Sequence, residues 1–216
     1  MIGFRGVADR LRRSLGGGAP ETLVPPAYLA QSRALLRESL ADCDGGDPIE
    51  IGVYRGGSLY RLGEEMAAHP GRGARRLIGI DTFEGHPYSD PERDPRHHPK
   101  GRFADTSYDL VRRAMARFPF ASVIRGECSA VFAGLATDQA FCFAHVDVDI
   151  CQAAVACMEY VYPRLRPGGA MVFDEYAGYG QRPFIAAYFE GKPVTLERRT
   201  GLGANDYGLM VRRWRQ

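Results

Sequence analysis

The sequence contains no Cys-x-x-Cys pair. Its five cysteines stand at positions 43, 128, 142, 151 and 157, too scattered for a thiolate zinc site and odd in number for a disulfide scaffold. Such usage fits a reducing compartment, the cytoplasm, and no secretory apolar region is visible near the start. No apolar run approaches the roughly 18 residues that cross a bilayer, so no membrane association is expected. A surplus of one charge is missing too. Lys+Arg is 28 against Asp+Glu 26, a formal +2, without the basic excess of a dedicated nucleic-acid binder. Internal repeats and low-complexity segments are likewise absent. Glycine, by contrast, supplies 26 of 216 residues, well above its average usage of about 7%, which signals tight turns and close backbone approaches. With 45% hydrophobic and 25% charged residues, the chain has the mix of one globular α/β domain.

The Arg-rich start faintly resembles a transit peptide, but Val7, Leu11 and Leu15 form one stripe of a short amphipathic helix. A Gly/Pro linker over 16–26 leads to a second helix over about 27–42. Residues 1–45 thus form a helical prelude to a domain spanning 46–216. Within that domain, short apolar runs at 48–53, 76–81, 122–126, 140–148 and 170–176 read as strands. Helical segments at 58–69, 106–118, 152–164 and 181–190 alternate with them. Continuous apolar strands alternating with helices predict a parallel sheet covered on both faces. Two last strands, at 194–199 and 207–214, are separated only by GLGAND and form an antiparallel hairpin at one edge. The outline is that of a class I methyltransferase: a Rossmann-like, seven-stranded, mostly parallel sheet.

In such a sheet ligands bind at the carboxyl ends of the strands. The first tip reads Glu50-Ile-Gly52-Val-Tyr-Arg-Gly56-Gly57-Ser58. Gly52 and Gly56 allow sharp turns against a ligand, and Ser58 is placed to cap the next helix. Tyr54 stands where G-x-G-x-x-G needs its second glycine, and no Lys precedes Ser58 as in a phosphate loop. The second tip ends in Asp81, an acid suited to accept both hydroxyls of a ribose. A glycine-rich tip unsuited to phosphate, followed by an acidic one, points to an adenosine ligand without a pyrophosphate and favours S-adenosylmethionine (SAM).

The last two parallel tips read His145-Val-Asp147-Val-Asp149 and Asp174-Glu175-Tyr176, with no Lys or Arg in either segment. Neighbouring strands lie about 4.8 Å apart, so up to four carboxylates converge and raise one another's pKa. A hard divalent ion would relieve that congestion, Mg²⁺ first, with Ca²⁺ or Mn²⁺ as alternatives. Asp149, Asp174 and Glu175 are the candidate ligands, with Asp147 supporting the turn behind them. Helix capping, or arginines from elsewhere in the chain, would be the structural alternative.

Taken together, these segments resemble the macrocin O-methyltransferase family over about residues 48–190. The motifs are IEIGVYRGGS, DTFEGHP at 81–87, the run from His98 to Ser107, HVDVD at 145–149 and YPRLRPGGAMVFDEY at 162–176. Glu175 stands where the family has a second Asp, and Cys151 where it has Tyr. The resemblance implies a SAM-dependent O-methyltransferase with Mg²⁺ at the acid cluster, a sugar or glycoside hydroxyl as acceptor, and a homo-oligomer, expected as a dimer. It places the 126–129 tip near the adenine. The cofactor-binding candidates are then Glu50, Gly52, Gly56, Ser58, Asp81, Thr82, Gly126, Glu127, Ser129 and Asp147.

An alcohol must lose its proton as it accepts a methyl group. Asp149 is the candidate general base and His145 the second candidate, with His97 and His98 able to reach the site on a lid over about 84–105 rooted at Thr82, Phe83 and Glu84. A catechol-type O-methyltransferase and a non-catalytic nucleotide-binding domain are the competing readings.

Overall fold

A computed structural model describes residues 19–89, 99–176, 181–203 and 208–215. The amphipathic helix expected at Val7, Leu11 and Leu15 falls outside the described residues, as do His97 and His98. The elements in chain order are α1 (Pro26–Asp42), β1 (Asp47–Ile51), α2 (Gly57–Ala68), β2 (Leu77–Asp81), α3 (Tyr108–Met115), β3 (Ala121–Arg125) and α4 (Cys128–Gly134). They continue with β4 (Phe141–Val146), α5 (Cys151–Arg164), β5 (Leu165–Phe173), α6 (Arg182–Phe189), β6 (Val194–Arg198) and β7 (Leu209–Arg213). No helix among the described residues is long and apolar enough to cross a membrane.

The strands form one sheet in the order β3-β2-β1-β4-β5-β7-β6. The first five are parallel, while β7 runs antiparallel to both β5 and β6. The terminal hairpin therefore forms as expected, with its second strand inserted next to β5. Side chains alternate between the two faces of the sheet, and each face has its own core. Ile49, Ile51, Met171 and Phe173 face α4, α5 and α6. Ala170 and Val172, the intervening positions of β5, join Leu36 and Leu40 of α1, Leu59 and Leu62 of α2, and Val111 of α3. β4 is buried along its whole length, as a central strand covered on both sides must be.

Three local features differ from the sequence expectation. β4 ends at Val146, so the Asp147–Asp149 segment leaves the extended strand. β5 starts at Leu165, but its pairing with β4 shifts between Phe141 and Phe143 and becomes regular only from Ala170. A further helix, α4, follows β3 and is capped by Glu127, whose carboxylate accepts from the Ala130 amide at 3.1 Å.

Candidate active site

A cleft opens at the carboxyl ends of the parallel strands. The turns after β1 and β2 line it, with Gly126–Cys128 after β3, Asp147–Ile150 after β4, and Asp174 and Glu175 after β5. The 21–25 segment, expected to be only a linker, forms a further wall, and Gly85–Pro87 and Phe103 another.

The first turn is held by Asp81. Its Oδ2 accepts from the Val53 and Tyr54 amides at 2.8 and 2.7 Å, and its Oδ1 from the Phe83 amide at 2.7 Å. The acid read as a ribose acceptor thus also organises the glycine-rich loop. Gly52 has φ +90°, and a Cβ there would lie 2.7 Å from the carbonyl carbon of Asp147. Its lack of a side chain lets the β1 and β4 tips meet, a close approach within the protein itself. Gly56 caps α2 in the left-handed conformation, with no side-chain cap, so Ser58 is not the cap; it is buried in α2 and faces the cleft. A Cβ on Gly57 would sit 2.6 Å from the Thr22 amide nitrogen. That glycine lets the 21–25 wall lie against α2.

The DTFEGHP segment makes a compact turn. Thr82 Oγ donates to the Gly85 carbonyl at 2.7 Å and accepts from the Glu84 amide at 3.2 Å. The two ends of the expected lid are laced together: the His86 amide donates to the Arg102 carbonyl and the Gly101 amide to the His86 carbonyl, both at 2.9 Å. Tyr54 and Arg55 of the first turn bind Asp105 at the far end. Burial and the hydrogen bond to Asp105 push the Tyr54 hydroxyl up to about 12. His86 is thereby brought to the cleft, where its Nε2 lies 3.2 Å from Asp149 Oδ2.

Behind the tips runs a buried chain of charge. Glu50 and His145 are register partners in β1 and β4, both fully buried, with Glu50 Oε1 2.7 Å from His145 Nδ1. The other ring nitrogen of His145 lies 3.5 Å from Asp174 Oδ1. The same carboxylate oxygen accepts from Arg199, which is also fully buried. Burial alone would lower His145, but the hydrogen bonds and charges of Asp174 and Glu50 outweigh it and raise the ring to about 10. For Asp174, burial is likewise outweighed, and His145 and Arg199 hold its carboxyl below the usual range. Asp147 goes the other way: burial, then the charge of Asp174, raise it well above the usual carboxylate value.

Two candidate assignments change. His145 is sealed between Glu50 and Asp174 and does not line the cleft, so it cannot reach an acceptor proton. Glu50 points to the same buried face, one residue out of phase with the cleft, and is not among the residues that line it. Gly56 and Ser129 also lie outside the lining, with Ser129 Oγ donating to Glu127 at 3.3 Å. Gly52, Ser58, Asp81, Thr82, Gly126, Glu127, Asp147, Asp149, Asp174 and Glu175 all line the cleft. Sequence reasoning gave no role to His86, although it lies inside DTFEGHP, nor to Arg199, whose position among surface-like residues carries no signal.

The carboxylates as placed do not fit a divalent ion. Asp174 is engaged by Arg199 and His145, Asp149 by His86. Among the described residues no three His, Cys, Asp or Glu side chains are grouped to hold a metal.

Comparison with known proteins agrees with this architecture. The chain is 28% identical over 186 residues to the 8-demethyl-8-(2,3-dimethoxy-alpha-L-rhamnosyl)-tetracenomycin-C 4'-O-methyltransferase of Streptomyces olivaceus, covering 81% of this chain and 70% of that protein. The O-methyltransferase NovP superposes with a TM-score of 0.70 at 16% identity, over 90% of this chain and 82% of NovP. The calicheamicin methyltransferase CalS11 superposes with a TM-score of 0.66 at 21% identity, over 96% of this chain and 91% of CalS11. The sequence profile of the macrocin O-methyltransferase (TylF) family matches residues 7–196. The chain belongs to that family and is a SAM-dependent O-methyltransferase.

Proposed function

We propose that the cleft transfers a methyl group from SAM to a hydroxyl of a sugar carried by a glycosylated natural product. The observation that carries this reading is the Asp149–His86 pair in the cleft wall, a carboxylate steadied by a ring nitrogen at 3.2 Å. The sugar acceptor is supported by the Streptomyces olivaceus relative, whose name specifies a rhamnosyl-bearing substrate.

The donor supplies an electrophilic methyl: the acceptor oxygen forms the new C–O bond while the S–C bond breaks and its electron pair stays on sulfur. The chain's residues do the rest. Asp81 fixes the β1 turn through three backbone amides. Asp149 gives the cleft wall a carboxylate, which suits a sulfonium and opposes a pyrophosphate. Phe103 and the 21–25 segment line the cleft on the side away from the strand tips. Asp149 accepts the hydroxyl proton as the oxygen attacks, while His86 keeps the carboxylate oriented. No step passes through a divalent ion.

The test is calorimetry with SAM, followed by labelled methyl transfer onto glycosides, their aglycones and a simple catechol. Transfer to the glycoside alone, lost in Asp149→Asn with SAM binding kept, is expected. Transfer to the catechol in preference, or NAD binding without SAM binding, would overturn the reading.

A further inference from the structure

Arg199 is among the largest fully buried side chains in the protein, and a buried guanidinium is costly unless its charge and donors are matched. Here they are matched by a built socket. Nη1 donates to Asp174, Nη2 donates to the Tyr28 carbonyl and, at 3.0 Å, to Ser32 Oγ, and Nε lies 3.4 Å from Gln31 Oε1. The guanidinium carbon sits 4.1 Å from the Tyr28 ring centroid, a cation–π distance. The socket is closed behind by Gly208, where a Cβ would clash with Arg199 Cδ and lie 3.0 Å from both Arg199 Cγ and the Tyr28 ring. Gly208 is itself bound on both sides, its amide donating to Tyr28 Oη at 3.1 Å and its carbonyl accepting from the Arg199 amide at 3.0 Å.

The position of this cation matters. It lies on the same Asp174 oxygen that faces His145, at the point where the resemblance places a metal ligand. A divalent ion on that carboxylate would stand against a fixed positive charge and would have to displace a bidentate-capable donor from a carboxylate that reaches the cleft. We propose that Arg199 is a built-in counter-cation that takes the place of the divalent ion at Asp174, so that the site binds no metal of its own. This rests on the methyl-transfer reading only for its activity arm, since cation binding is measured directly.

The experiment is equilibrium dialysis of the full chain against Mn²⁺, read by the EPR signal of free ion, for wild type, Arg199→Gln and Asp174→Asn. Wild type is expected to hold no stoichiometric Mn²⁺, and the folded Arg199→Gln variant to gain a site about tenfold or more tighter, the least expected from removing one adjacent positive charge. One equivalent of Mn²⁺ on wild type, lost in Asp174→Asn, would overturn the proposal; so would a folded Arg199→Gln variant that gains none. If Arg199→Gln does not fold, the wild-type and Asp174→Asn measurements decide alone. Turnover of wild type in excess EDTA forms the activity arm: full turnover supports the proposal, and loss restored by Mg²⁺ overturns it. Failure to bind SAM with or without metal would count against the methyl-transfer reading and leave the dialysis result standing.

Discussion

Replacing Gly52 by Ala measures how tightly the cleft floor is built. Gly52 has φ +90°, and an L-residue held in the left-handed region costs about 1–2 kcal/mol. The added Cβ would also lie 2.7 Å from the Asp147 carbonyl carbon and closer still to its oxygen. Both neighbours are backbone and cannot rotate away. Relief requires parting the β1 and β4 tips, tied by the Asp147 amide to the Ile51 carbonyl, and shifting Gly52, whose amide donates to the Ile80 carbonyl of β2, each bond at 2.9 Å. Weakening those two bonds adds about 1 kcal/mol each, for a total near 3–4 kcal/mol. Gly45 is the control: its φ is +79°, but nothing lies within 4 Å of its Cβ position, so Gly45→Ala carries the backbone cost alone. Urea denaturation should place Gly52→Ala about 2 kcal/mol below Gly45→Ala. Calorimetry should show weakened SAM binding only in Gly52→Ala. Equal stabilities with unchanged SAM affinity would refute the claim that Gly52 exists to let β1 and β4 meet.

Further outcomes follow from the same geometry. Asp149→Asn should lower kcat by about 10²–10⁴-fold, the usual reach of a general base, with SAM affinity little changed; a normal kcat would remove Asp149 from the proton path. In Asp81→Asn the amide can no longer accept from all of Val53, Tyr54 and Phe83, so SAM affinity should fall about tenfold or more while the far-UV spectrum stays native; unchanged affinity would refute it. Gly57→Ala should push the 21–25 wall from the cleft and raise the KM for SAM more than it lowers kcat, and an unchanged KM would show that this segment is no wall. His145 is raised in the folded protein from 6.5 to about 10, so its contribution to stability is full below pH 6.5 and is lost as pH rises through about 10. Denaturation midpoints should decline across that window in wild type and decline less in His145→Gln; parallel curves would refute the assignment.

Much of the fold was legible because its signals are local. Continuous apolar runs such as residues 141–146 become buried central strands, and the short GLGAND connection leaves the last two strands no route but an antiparallel pairing. α4 was not legible: it has seven residues, and Glu127 caps it in place of the usual Ser, Thr, Asn or Asp. In the site, Asp81 and the acids at the β4 and β5 tips were found because strand ends in a parallel sheet are where ligands bind. Glu50 and His145 lie off the cleft because of the parity of the strand. Each sits one residue from an inward position facing α4–α6, so its side chain points to the opposite face, beneath α1, and is sealed there.

The counter-charge of Asp174 shows why a segment-by-segment reading of electrostatics fails. The segments that contain the acids hold no Lys or Arg, and an unneutralised carboxylate cluster then calls for an ion. The cation that answers it comes from position 199, immediately after β6. It is brought back because β7 pairs with β5 and β6 with β7, with Arg198 opposite Leu209 and Phe173 opposite Leu209. That register aligns the end of β6 with the end of β5, so Arg199 lies beside Asp174 across one intervening strand. Helix α1 then supplies Tyr28, Gln31 and Ser32 as the remaining acceptors. Burial makes such a pairing obligatory, since neither charge can be left alone in the interior. The charge balance of this site is therefore a property of sheet order, and changing the ion preference of the cleft requires changing a residue that does not touch it.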